Sequence, residues 1–247
     1  MNNTHVLPIE SPKYPGRLVR VLDGSAPKKL HCRGNLDLLL SKCIGFSGSR
    51  KASPKGLEVA STYAAQFARE GWTVTSGYAN GVDVASHRAA LAAGGSTIVV
   101  LPYGIDDFWV RPDLSDVWNW SRTLVVSQFE PAARFQAYKA IQRNAVIAAL
   151  SQGVLVFEAA TTGGTLNTGL TTLRLKIELF AALYAGMPPE AVGNRLLVAR
   201  GANPLRTDKD TLQQHMESMT CAMELRPNLN GCAIRPSHRR GTWAGSA

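Results

Sequence analysis

The stretch CIGFSGSRKASPKGLEVASTYAAQFAREGWTVTSG, Cys43 to Gly77, decides the fold. Cys43–Ser47 is a short, mostly apolar run stopped by Gly48, and it predicts a strand. From Gly56 to Glu70 the apolar residues Leu57, Ala60, Tyr63, Ala64 and Phe67 recur close to a helical period, which predicts a helix. Gly71 ends that helix, and Trp72–Thr75 reads as a second strand. Strand, glycine-bearing loop, helix and strand form the repeating unit of a parallel sheet with right-handed crossovers.

The alternation continues along the chain. Asp83–Ala93 reads as a helix ending at Gly94-Gly95, and Thr97–Leu101 as a strand. Leu124–Ser127 is a further strand, Phe135–Leu150 a long helix and Gly153–Phe157 another strand. A Gly/Thr-rich loop then leads into a helix running to about Ala185. Arg195–Ala199 is expected to be the last core strand and Thr211–Met219 the last helix. These strands are continuous apolar runs rather than alternating ones, as in a sheet covered on both faces. The fold class predicted is α/β, an open parallel sheet with helices on both faces.

Residues 1–42 contain Pro8, Pro12, Pro15 and Pro27 and read as an N-terminal extension, an extended arm. A short strand is expected in it at Leu18–Leu22 and a short helix at Leu36–Leu40. The core domain is then 43–221, and 222–247 a basic, irregular tail. Arg235, Arg239 and Arg240 in that tail either touch a polyanion or only solubilise the terminus.

Composition narrows the function. The 247 residues are 45% hydrophobic, enough for a substantial core. The formal net charge is +9, which favours a polyanionic partner or an anionic ligand. Cys32, Cys43, Cys221 and Cys232 form no CxxC pair, so neither a zinc site nor a disulfide framework is expected. No stretch approaches about 20 apolar residues, the length of a membrane span. The segment MNNTHVLPIESPKYPG lacks a signal-peptide hydrophobic region, and the expected location is the cytoplasm.

Ligands of open parallel sheets lie beyond the carboxyl ends of the strands, which directs attention to loops 47–56, 76–83, 102–108 and 158–169. In the first, Gly48 and Ser49 let backbone N–H groups approach an anion, while Arg50 offers a planar charged fork and Lys51 and Lys55 point charges. The loop is neither GxGxxG nor a Walker motif, so no dinucleotide or ATP cofactor is expected. In the second, Ser76, Gly77 and Gly81 shape a loop, and Asp83 is placed to cap the N–H groups two or three residues ahead. His87 follows one helical turn later. One Asp and one His fill no metal site, and no nucleophile accompanies them, so a turn-and-helix role leads over a catalytic one. Lys139 and Arg143, one turn apart and next to Asn144, are either a basic face for successive phosphates or the solvated face of an ordinary amphipathic helix. In the last loop Glu158 accepts from a ribose or base edge, holds Arg or Asn partners, or forms a structural salt bridge. Gly163, Gly164 and Thr165 then precede a helix whose N-terminus is a ready anion site. Tyr78, Tyr103, Phe108 and Trp109 are candidate base-stacking aromatics; Trp109, Trp118 and Trp120 equally suit a lid or a dimer surface.

GFSGSRKASPKGLEVA, VTSGYANGVDVASHRAALAAGGSTIVVLPYGID, VVSQFEP and QRNAVIAALSQGVLVFEA, in this order and spacing, resemble the Rossmann-like domain of the DNA-processing protein A (Smf) family of DNA recombination mediators. The resemblance runs from about Cys43 to Gly169, roughly half the chain. It implies a Rossmann-like fold, single-stranded DNA as ligand, a RecA-type recombinase as partner, homodimerisation, and binding rather than catalysis. It further implies that Gly48, Ser49 and Arg50 form an anion-binding turn, and that Ser76, Gly77, Ala79, Gly81, Asp83 and His87 are a scaffold signature. Arg143 and Asn144 match the family's basic motif, whose second arginine is Ala145 here; Lys139 is the candidate to compensate. Glu158, Ala159, Gly163, Gly164 and Thr165 match its later loop. The family's helical N-terminal domain and winged-helix-like C-terminal domain have no recognisable counterparts, so the chain reads as a reduced or divergent member. The runner-up is a phosphoribohydrolase-like nucleotide N-glycosidase, although TGGTLNTGL lacks the Gly-Thr spacing and trailing Glu of the PGGxGTxxE-like loop.

Overall fold

The computed structural model describes residues 3–206 together with 216, 217, 219–221 and 223. Apart from Met223, the expected tail from 222 lies outside the described residues, as does part of the expected helix over 211–219.

The strands are β1 His5–Pro8, β2 Lys29–Gly34, β3 Cys43–Gly48, β4 Thr73–Ser76, β5 Ser96–Val100, β6 Thr123–Ser127, β7 Gly153–Phe157, β8 Glu178–Leu183 and β9 Asn203–Arg206. The helices are α1 Gly16–Leu22, α2 Pro54–Arg69, α3 Val82–Ala92, α4 Ala137–Leu150, α5 Gly164–Arg174 and α6 Val192–Ala199. Among the described residues all nine strands join one sheet in the order β1-β2-β6-β5-β4-β3-β7-β8-β9. From β6 to β9 every pairing is parallel. At one edge β2 runs antiparallel to β6, and β1 antiparallel to β2. The architecture is therefore the expected Rossmann-like open sheet, parallel across the seven strands from β6 to β9, with two antiparallel strands added at one edge.

The first 42 residues are not an extended arm. Leu30 and Cys32 of β2 and Leu18 of α1 are fully buried and pack with Ile98, Val100, Leu124 and Val126 of the sheet. Leu18–Leu22, expected as a strand, belongs to α1; a five-residue run is too short for its period to separate strand from helix. Leu36–Leu40 is helical, as a 3-10 segment. Two later elements also differ. The helix expected to reach Ala185 ends at Arg174, and β8 follows. Lys176, at φ 57, takes the left-handed position that usually signals a helix end through glycine. The Ile177 N–H bonds to the Thr172 carbonyl (3.1 Å) and the Lys176 N–H to Leu173 (3.0 Å), closing the helix without a glycine in the sequence. Arg195–Ala199, expected as the last strand, lies in α6, and the edge strand is β9.

Both faces of the sheet are covered. On one face Phe46 and Phe157 stack at 5.8 Å, Phe67 of α2 meets Phe46 edge-on at 6.5 Å, and Val82 and Ala90 of α3 close the cluster. On the other, Val146 and Ile147 of α4 and Leu166 and Leu197 of α5 and α6 cover the sheet. Tyr78, Tyr103 and Phe108, candidates for base stacking, pack instead with Trp118 and Trp120 over Val99 and Leu101. Trp109 stays exposed. Among the described residues no helix is long and apolar enough to cross a membrane.

The order of the strands places the site. From β3 the chain steps outward through β4, β5 and β6; α4 then carries it back to β7, on the other side of β3. Neighbouring crossovers leave β3 and β7 in opposite directions, and a crevice opens beyond their carboxyl ends.

Because β2 belongs to the core, Leu30→Ala is expected to cost about 2–5 kcal/mol. Chemical denaturation checks this; a detached arm would lose almost nothing.

Candidate functional site

A cleft of about 480 Å³ occupies the crevice, and its walls come from the turn after β3, the start of α3, one face of α4, and the loop from β7 into α5. Gly48, Ser49, Arg50, Lys51, Asp83, Arg143, Asn144, Glu158, Gly164 and Thr165, ten of the residues singled out in the sequence, line it. Lys139, Gly163, Ser76, Gly77, Gly81 and His87 are not among its lining residues.

The turn after β3 is stitched to both neighbouring crossovers. Its Ser49 N–H donates to the Phe157 carbonyl (3.1 Å), and its Ser49 carbonyl accepts from the Val82 N–H (3.3 Å). Close approach dictates a glycine just before it: a Cβ on Gly48 would stand 2.4 Å from Val82 Cγ2 and 2.8 Å from the Phe157 carbonyl oxygen. Ser49 Oγ accepts from the Lys51 N–H (3.1 Å), which folds the turn over and leaves Arg50 and Lys51 exposed. Neither of their side chains makes a hydrogen bond or ion pair among the described residues.

On the opposite wall α5 starts at Gly164 after Gly163 (φ 100), with no side-chain cap and no acidic residue in its first turn. Its first N–H groups and the positive end of its dipole are open toward solvent, where an anion is favoured. The start of α2 is used differently. Ser53 Oγ accepts from the Gly56 N–H (3.0 Å), and Glu158 accepts from the Ser53 N–H (2.7 Å), from the Ser53 hydroxyl and from the Tyr184 hydroxyl. Glu158 thus serves loop and helix start through serine and tyrosine, not through Arg or Asn. Ser53, followed by Pro54, carried a helix-start signal in the sequence; Tyr184 carried none.

Arg143 and Lys139 part company. Arg143 is buried, and its Nη1 donates to the Val100 carbonyl at 3.1 Å. Its Nε, also buried, has no hydrogen-bond partner among the described residues. Lys139 donates to the Arg134 carbonyl (2.9 Å) and lies over the Phe129 ring, away from the cleft. One helical turn separates them, but Arg143 sits where α4 dips under the β5 end, so the two form no continuous basic face. Ala145, where the family has a second arginine, does not line the cleft.

The 76–87 segment is a buried polar plug over the ends of β4 and β5. A Cβ on Gly77 would meet Arg143 Nη1 at 1.7 Å and Asp83 Oδ2 at 2.4 Å, so only glycine fits between guanidinium and carboxylate. Asp83 does not cap forward as expected. Gly81 holds the N-cap position, and Asp83 Oδ2 accepts from the Ala79 N–H behind it (3.3 Å). Burial pushes the Asp83 carboxyl up and the Arg143 guanidinium down from their ordinary values, and each one's charge opposes the other's shift. His87 is fully buried, with Nε2 2.6 Å from the Gly77 carbonyl and Nδ1 2.6 Å from Thr97 Oγ1. Burial lowers its pKa to about 4, with the Gly77 carbonyl opposing and Arg143 assisting. The Gly77 carbonyl can only accept, so the ring donates Nε2–H to it, and Nδ1 faces Thr97 Oγ1, whose hydroxyl also lies 2.7 Å from the Val74 carbonyl. Both nitrogens are committed, and among the described residues no three His, Cys, Asp or Glu side chains gather where a metal ion could be held.

A family profile described as DNA recombination-mediator protein A matches residues 5–216. The protein Smf of Escherichia coli is 34% identical over 202 residues, 81% of this chain and 54% of that protein. The chain thus spans about half the length of that relative. The X-ray structure of DNA processing protein A from Streptococcus pneumoniae superposes with a TM-score of 0.75 at 29% identity, covering 86% of this chain and 74% of that one. DNA processing protein A from Helicobacter pylori, studied for its single-stranded DNA binding mode, shares the fold with a TM-score of 0.72 at 21% identity, covering 88% and 99%.

Two outcomes follow from the plug. Gly77→Ala forces the Arg143 guanidinium aside and is expected to destabilise by about 1–3 kcal/mol in chemical denaturation. His87 makes stability depend on pH. The unfolded chain takes up its proton near pH 6.5 and the folded chain only near about 4, so stability is full above that window and falls as pH drops through it. His87→Gln is expected to flatten the fall in denaturation midpoint between about pH 7 and pH 5 relative to the parent chain.

Proposed function

The chain belongs to the DNA recombination-mediator protein A family, and from that premise we propose that its cleft binds single-stranded DNA along the phosphate backbone. The observation that carries this is one juxtaposition: two exposed cations, Arg50 and Lys51, whose side chains make no hydrogen bond or ion pair among the described residues, across from the uncapped N-terminus of α5. Arg50 takes a phosphate with its planar fork, and Lys51 takes the next as a point charge. Gly48 and Ser49 keep the turn close to the strand, while Gly163, Gly164 and Thr165 present N–H groups and a hydroxyl to the same backbone. Asn144, whose Nδ2 lies 3.4 Å from the Gly164 carbonyl, ties α4 to that loop. Buried Arg143 adds positive potential beneath the cleft without touching the strand, and Lys139 takes no part. Ser76, Gly77, Gly81, Asp83, His87 and Glu158 shape the loops.

The strand so bound is handed to a RecA-type recombinase, and the chain acts as a homodimer. Family membership supports the first, because a recombination mediator delivers DNA to a recombinase. The net charge of +9 supports capture of a polyanion before any specific contact forms.

Anisotropy titrations with labelled oligo-dT at several salt concentrations test this. Affinity is expected to fall steeply with salt, by a log–log slope of about 0.7 per phosphate contacted. Arg50→Ala is expected to weaken binding about tenfold and to lower that slope by about 0.7. Salt-insensitive binding, or an unchanged Arg50→Ala variant, overturns the proposal.

A further inference from the structure

The cleft carries an internal conflict. Glu158 stands at the carboxyl end of β7 and lines the same cleft as Arg50, Lys51 and the start of α5. A carboxylate on the wall of an anion site repels the anion unless its charge is held elsewhere.

We infer that Tyr184 is a positioning residue for DNA binding: with Ser53 it holds the Glu158 carboxylate against the start of α2, so that α5, Arg50 and Lys51 are left to the phosphates. The inference rests on the DNA-binding proposal and names a further residue of that site. Tyr184 follows directly on β8, and its hydroxyl donates to Glu158 Oε1. The Ser53 hydroxyl donates to the same oxygen, and the Ser53 N–H to Oε2 at 2.7 Å. Ser53 in turn caps Gly56, so the carboxylate charge sits at the positive end of the α2 dipole. Glu158 itself is at φ 50, a conformation an L-residue keeps only where its surroundings hold it. Burial, and the carboxylate beside it, push the Tyr184 phenol above its ordinary range, so the hydroxyl remains a donor at neutral and mildly alkaline pH. The two helix starts are thereby divided: α2 neutralises the protein's own anion, and α5 is kept for the ligand's.

Anisotropy with labelled oligo-dT at one low salt concentration, on the full chain, tests the inference. Tyr184→Phe removes only the hydroxyl and is expected to weaken binding roughly three- to tenfold. Adding Glu158→Gln removes the charge while leaving an amide of the same shape, and is expected to return affinity to the parent value or above. Adding Glu58→Gln instead, an exposed carboxylate paired with Lys55, is expected to restore nothing. Unchanged affinity in Tyr184→Phe overturns the inference. So does a Tyr184→Phe/Glu158→Gln chain as weak as Tyr184→Phe, which would mean that the tyrosine acts through packing, and so does rescue by Glu58→Gln, which would mean a general charge effect. If Tyr184→Phe does not fold, Glu158→Gln alone decides: affinity at or above the parent's supports the inference, and a loss overturns it. A parent chain that binds no oligo-dT overturns the DNA-binding proposal, and the inference falls with it.

Discussion

The parallel pairing of β3 with β7 governs everything built above it. It runs in register from Ile44–Gly153 to Gly48–Phe157, and the Ser49–Phe157 hydrogen bond continues it into the turn. Sequence neighbours of β3 lie on its other side, so α4 must return across the sheet to deliver β7. That return separates the crossovers above β3 and β7 and opens the cleft between them. It also brings α4 over the sheet, with Arg143 and Asn144 on the cleft side. The stacked Phe46 and Phe157 rings brace this pairing from below.

The charges around the cleft fall into two physical classes. Arg143, Asp83 and Glu158 are nearly buried and are held by named donors and acceptors from several elements. Groups of this kind cost desolvation and return it as a unique arrangement of loops. Arg50 and Lys51 are exposed and make no side-chain hydrogen bond or ion pair among the described residues, so they have lost little hydration. Around Gly77 the buried class closes the ends of β4 and β5. The cleft opens beside this plug, beyond the carboxyl ends of β3 and β7.

Much of the core was legible along the chain. β3, α2, β4, α3, β5, β6, α4 and β7 all fall within a few residues of their sequence-based boundaries, because each is a well-bounded run whose period matches its partners in the fold. The N-terminal strands were not legible. β1 spans only four residues, with one buried, and prolines around it suggest an extended arm whether or not it pairs. The switch from α5 to β8 was hidden because Lys176 takes a left-handed conformation that composition does not advertise. Most of the candidate site residues do line one cleft, since loops at strand ends must meet wherever the sheet is parallel.

By itself, then, the sequence determined the class of fold, the end of the sheet where a ligand would lie, and the pair Arg50 and Lys51 in a tight glycine-serine turn. These depend on local periodicity and turn chemistry, which are written residue by residue. Tertiary structure alone decided which charges are spent and which are free. Lys139 and Arg143 are one turn apart and equivalent in sequence, yet one is committed to a loop carbonyl and the other is buried beside Asp83. Glu158 is an exposed type of residue made inward-facing by Ser53 and Tyr184, partners 105 and 26 positions away. Long-range partnership of this kind depends on how the crossovers pack, and no local pattern encodes it.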